Sequence, residues 1–115
     1  MDEERSVFNM GVANLQRIDK ALSMAGDKRL DKDIIQWQLL LDYVYSQSYP
    51  FIRGQKSFVR VEDAMNKAKF AIEEDASVEN CYQRLHTLEF ELTTCMFDAG
   101  LYSARPDDPN IAFKG

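Results

Sequence analysis

His86 is the single histidine of the chain, with Tyr82 four residues before it and Arg84 two before. An imidazole can serve as metal ligand or general base at neutral pH. Its neighbourhood decides whether either chemistry is available. A lone histidine with no other ligand near it in sequence makes a weak metal site. Helical bundles that hold paired metals use Glu-x-x-His on two helices, and no glutamate stands three residues before His86. A general base needs a nucleophile or an acid facing it, and Cys81 points elsewhere on the same predicted helix. These residues predict a histidine on the flank of a bundle, with no catalytic residue, no metal and no cofactor.

Glu89 is the next candidate. At 100° per residue it falls within about 40° of the apolar seam of its helix. A carboxylate so near a core should find an Arg, Lys or Tyr partner or snorkel outward. The other outcome is an acid of raised pKa. Cys81 and Cys95 also lie on the apolar side of this helix. Fourteen residues of helix hold them about 21 Å apart, too far for a bridge within one chain, so both are expected as reduced core thiols.

Gly54-Gln55-Lys56-Ser57 has the ending of a phosphate-binding loop in outline only. The first glycine is missing, Gln55 separates Gly54 from Lys56, and no strand precedes the segment. What remains is a basic cluster, Arg53, Lys56 and Arg60, at the start of a predicted helix. Backbone N–H groups and the helix dipole favour an anion there. A second basic cluster, Lys28, Arg29 and Lys32, is interrupted by Asp27 and Asp31.

These side chains must be positioned by helices. Phe8, Val12, Leu15, Ile18 and Leu22 recur at steps of three and four and predict helix 1 from about Glu4 to Ala25. Gly26 offers a left-handed stop. Gly11 on the apolar side either admits a close neighbour or marks where the helix begins. Asp31 is the expected cap of helix 2, which runs to about Ser48, because Tyr49 precedes Pro50 and is biased away from helical dihedrals. Residues 49–54 then form the longest internal connection. Ser57 is expected to cap helix 3, carried by Phe58, Val61, Met65, Ala68 and Ile72. Asp75-Ala76-Ser77 breaks the pattern, and Ser77 caps helix 4. Val78, Cys81, Leu85, Leu88, Leu92, Cys95 and Ala99 hold its alternation up to Gly100.

The fold class is therefore all-α, an antiparallel helical bundle of four main helices over residues 1–102. An extended or flexible tail follows over residues 103–115, where Pro106, Pro109 and two aspartates show no period. Its Ile111 and Phe113 could pack back or dock elsewhere. A chain of 115 residues with 45% hydrophobic and 29% charged residues fits one ordinary globular domain. The net charge of −5 argues against general binding to nucleic acid or anionic membrane. No apolar run approaches the ~18–20 residues of a spanning helix. The acidic start, Met1-Asp2-Glu3-Glu4-Arg5, is unlike a secretory signal, so a cytoplasmic location is expected.

Helix 2 has more apolar surface than one small core can use. Ile34, Trp37, Leu41, Val44 and Tyr45 point one way, and Ile35, Leu39 and Tyr43 nearly the opposite way. A helix apolar on two sides is usually buried on two sides. Either the loop and the tail cover the second row, or a partner does. Phe70 on helix 3 and Phe90 and Phe97 on helix 4 also stand off their seams. The expectation is a non-enzymatic protein–protein interaction or assembly module, self-associating as a homo-oligomer, a dimer foremost, or docking on a protein partner. Its interface would be Ile35, Leu39 and Tyr43, helped by Phe70, Phe90 or Phe97. The alternative is a small helical binder of nucleotide or phosphate compounds using Arg53, Lys56 and Arg60.

Overall fold

A computed structural model describes residues 2–74 and 76–101, with side chains from Phe8 onward. The expected tail over 103–115, with Ile111 and Phe113, lies outside the described residues. The elements are α1 (Asp2–Ala25), α2 (Asp31–Ile52), α3 (Phe58–Glu73) and α4 (Val78–Asp98), with a 3-10 turn at Gly26–Lys28. The described residues contain no strand, and the four helices pack as an all-α bundle. No helix among them is long and apolar enough to cross a membrane.

Short connections make sequential helices antiparallel. Phe8 meets Phe51 edge to face at 6.1 Å, which pairs the start of α1 with the end of α2. Tyr45 stacks on Phe58 between α2 and α3. Arg60 bonds Glu91, and Ser57 bonds Asp98, between α3 and α4. The helix shared by the others is α4, which packs on α3, α2 and α1. Its seam, Leu85, Leu88, Leu92, Cys95 and Met96, is almost wholly withdrawn from solvent. The opposing surfaces supply Val12, Leu15, Trp37, Leu41, Ile52 and Val61, all fully buried.

Several helix ends follow from local chemistry. Gly26 takes φ +56° and Gly100 φ +79°, the left-handed stops that need no Cβ. The Ser77 hydroxyl accepts the Asn80 N–H at 3.1 Å and caps α4 as expected. Gly11 lies well inside α1, and a Cβ there would sit 3.4 Å from the Val44 side chain. It therefore marks close approach of α1 to α2, not a helix start.

Three expectations about the ends fail. Asp31 is the first residue of α2, and its cap position, Leu30, offers no side-chain bond. Ser57 does not cap α3 with its side chain; its hydroxyl donates to Asp98 of α4 at 2.9 Å. Most tellingly, α2 does not end at Ser48 but runs through Pro50 to Ile52. A proline inside a helix removes one backbone bond and crowds the carbonyl four residues back. The penalty falls on the last turn, where packing outweighs it. Ile52 is fully buried, which contributes roughly 1.5–3 kcal/mol, and Phe51 rests on Phe8. Ser48, also fully buried, satisfies its hydroxyl by donating to the Val44 carbonyl at 2.8 Å.

Pro50→Ala restores the missing N–H to a turn that is already helical and should stabilise the protein by about 1–2 kcal/mol. Ser77→Ala should cost about 1 kcal/mol. Urea unfolding of both variants checks the pair; a destabilised Pro50→Ala would mean that the turn depends on the proline.

Candidate functional site

The apolar surplus of α2 is on the outside. Ile35, Leu39 and Tyr43 are 51%, 62% and 59% exposed. The reason is geometric. The Ile34–Trp37–Leu41–Val44 side faces the core, α1 lies to one flank, and Tyr45 and Tyr49 meet Phe58 of α3 on the other. The side opposite the core carries Ile35, Leu39, Tyr43, Ser46 and Pro50 at helical spacing, all exposed. This face is also nearly uncharged. Between Asp33 and Arg53 the chain has one charged residue, Asp42. Burial raises the Asp42 carboxyl above its ordinary value, and Lys69 of α3 opposes the shift. By contrast α3 has charges in every turn, at Arg60, Glu62, Lys67 and Glu73.

The other candidate interface residues are exposed too, on α3 and α4. Phe70 borders a hollow between α3 and α4, with Lys67, Glu74 and Arg84. Ile35 borders a second hollow, with Ile72, Val78 and Cys81, and the two hollows share Ala76. Phe90 and Phe97 lie two turns apart on the side of α4 that bears His86.

The basic segment already has carboxylates beside it. Arg53 and Lys56 are exposed in the turn after α2, while the Arg60 Nε bonds the Glu91 carboxylate at 3.2 Å. The start of α3 already has a carboxylate beside it, because Ser57 holds Asp98 there. An anion at Arg60 would compete with Glu91 for the guanidinium.

His86 and Glu89, assigned no chemistry from sequence, come together with a residue that the sequence did not flag. Asp19 of α1 reaches across to α4. Its Oδ2 lies 2.9 Å from His86 Nδ1, and its Oδ1 accepts the Tyr82 hydroxyl at 2.8 Å. Glu89 is one turn along from His86, and ligating atoms of Asp19, His86 and Glu89 all lie within 4.8 Å of one another. The depth is graded: the His86 side chain is 52% exposed, Asp19 14%, and Glu89 is buried. Tyr82 links this group to its surroundings. Its ring stacks on His86 at 5.7 Å and tilts against Trp37 at 5.4 Å, and the Arg29 guanidinium lies 4.0 Å above it. Arg29 is itself held by the Leu22 carbonyl and by an ion pair with Glu79.

Among the described residues, Glu89 has no Arg or Lys partner, and it is buried. Burial, and then the negative Asp19 beside it, push its pKa up to about 9, against a smaller opposing pull from the Trp37 indole. At neutral pH it is a neutral acid whose proton is offered to Asp19. Among the described residues, two buried side-chain atoms close no hydrogen bond of normal geometry, Glu89 Oε1 and Trp37 Nε1. Burial thus puts Glu89 with the raised acid, not with the paired or outward-snorkelling carboxylate that the sequence favours. The acid facing His86, which sequence reasoning required and did not find, is Asp19. Its signal was faint: it lies 67 residues from His86, next to the α1 seam residue Ile18.

Unfolded, a glutamate releases its proton near pH 4.5, whereas folded Glu89 keeps it to about pH 9. Between those values the folded state binds the extra proton, so stability falls as pH rises. In EDTA, melting temperature should decline across that window more steeply for the native chain than for Glu89→Gln. Parallel profiles would show that Glu89 ionises normally.

The chain matches no protein-family model, and no curated protein or solved structure shows significant similarity to it.

Proposed function

We propose that this protein is a non-enzymatic assembly module that pairs with a second copy of itself through the outer face of α2. The observation that carries this reading is the exposed, almost uncharged row of Ile35, Leu39 and Tyr43. Interface centres are depleted in charge and enriched in aromatic residues, and a solvated helix face ordinarily carries charges. The occupant is argued from the pattern itself. In an antiparallel, two-fold pairing centred on Leu39, Ile35 of one copy meets Tyr43 of the other, and Lys32 meets Ser46. No like charges face each other, and the patch is complementary to itself, as a two-fold interface requires.

A face one helix wide is narrower than the roughly 800 Å² per partner of a stable complex. The dimer is accordingly of the exchanging kind, with a dissociation constant on the order of 10 μM. Phe70 extends the rim through the hollow that borders Ala76. In this reading the protein works in the cytoplasm, where buried thiols such as Cys81 and Cys95 stay reduced.

Sedimentation equilibrium from about 1 to 200 μM should show a reversible monomer–dimer transition. Leu39→Asp should hold the protein monomeric throughout, with unfolding free energy within about 0.5 kcal/mol of the native chain. A native chain that stays monomeric over that range, or a Leu39→Asp variant that dimerises equally well, removes the proposal.

A further inference from the structure

We propose that Asp19, His86 and Glu89 bind one divalent transition-metal ion, with zinc the best match to their chemistry. The three side chains come from two helices and bring one imidazole nitrogen and two carboxylates to a common point, ligating atoms within 4.8 Å of one another. Zinc–nitrogen and zinc–oxygen bonds are about 2.0–2.2 Å. Tetrahedral ligands around such an ion stand about 3.4 Å apart, so small side-chain rotations close the site. One imidazole with two carboxylates suits zinc and its transition-metal neighbours; magnesium prefers an octahedral shell of oxygens and keeps its water.

A second observation concerns Glu89 itself. Glu89 is 6% exposed, and its Oε1 has no hydrogen-bond partner. A buried carboxyl oxygen left unbonded is costly, and a cation between Glu89 and Asp19 would satisfy it.

The surrounding residues are those that orient metal ligands. Tyr82 donates to Asp19 Oδ1 and leaves Oδ2 turned toward His86. The Tyr82 ring fixes the imidazole plane by stacking. The buried Trp37 indole lies beside the Glu89 carboxyl and favours its ionised form. Such outer partners typically change metal affinity 10–100-fold. With three protein ligands and a half-exposed His86, the fourth position opens to solvent, as in sites that keep a water.

The test uses the full chain freed of metal, titrated with zinc chloride by calorimetry. Binding of one ion per chain is expected, with a rise in melting temperature, and magnesium chloride should produce neither. Cobalt(II) should give the visible absorption of a four- or five-coordinate ion. His86→Ala alters a half-exposed residue, and Glu89→Gln removes a buried acid while keeping its shape, so both should fold. Each should bind zinc at least tenfold more weakly. Absence of binding at 1 mM zinc, or affinity unchanged in both variants, overturns the proposal and leaves the group as two carboxyls sharing a proton.

Discussion

The seam of α4 is the surface that the other three helices share. Leu85, Leu88, Leu92, Cys95 and Met96 face inward along one side of it, and burying them is possible only if α2 and α3 close over both flanks. Once they do, α1 is left with the remaining flank, the one that begins at Tyr82 and continues through His86 and Glu89. The apolar effect thus sets the arrangement, and the polar contacts are consequences of it. Each full side chain in this seam contributes on the order of 1.5–3 kcal/mol. That exceeds the cost of one poorly satisfied carboxyl, so Glu89 can be carried into the interior.

Glu89 is placed there at some expense. A buried acid beside a carboxylate is disfavoured by desolvation and by repulsion. The fold answers with a neutral protonated form, a Tyr82 hydroxyl and a His86 imidazole on Asp19, and Trp37 nearby. A leucine in place of Glu89 would meet none of these demands. Tension of this kind, a local rule broken inside an otherwise consistent core, is what functional sites tend to look like. The Tyr82 ring adds rigidity, because Arg29, His86 and Trp37 all contact it.

The same packing leaves α2 with an uncovered side. Three helices arranged around α4 leave α2 with neighbours on its core side and both flanks but, among the described residues, none on its outer side. Ile35, Leu39 and Tyr43 therefore stay outside however well the interior is formed. The polar group and the apolar row are separate in character. One is a group of ionisable side chains between α1 and α4, graded from half-exposed His86 to buried Glu89. The other is an exposed apolar row on α2.

The spacing of apolar residues was enough to determine the number of helices, their core rows, the Ser77 cap, the Gly26 and Gly100 stops and the two-sidedness of α2, because all of these depend on contacts within a few residues. It also foretold that Glu89 would be either paired or perturbed. It misplaced the end of α2, since the penalty at Pro50 is local, while the packing that overrides it is distant in sequence: Ile52 is buried and its carbonyl meets Cys95 of α4, and Phe51 meets Phe8 of α1. It could not find Asp19, whose partners His86 and Glu89 lie on another helix, and it could not say whether Phe70, Phe90 and Phe97 share a surface with Ile35. Those relations belong to the way helices sit against one another. A one-dimensional period fixes which face of a helix is apolar, but only three-dimensional packing decides which faces meet.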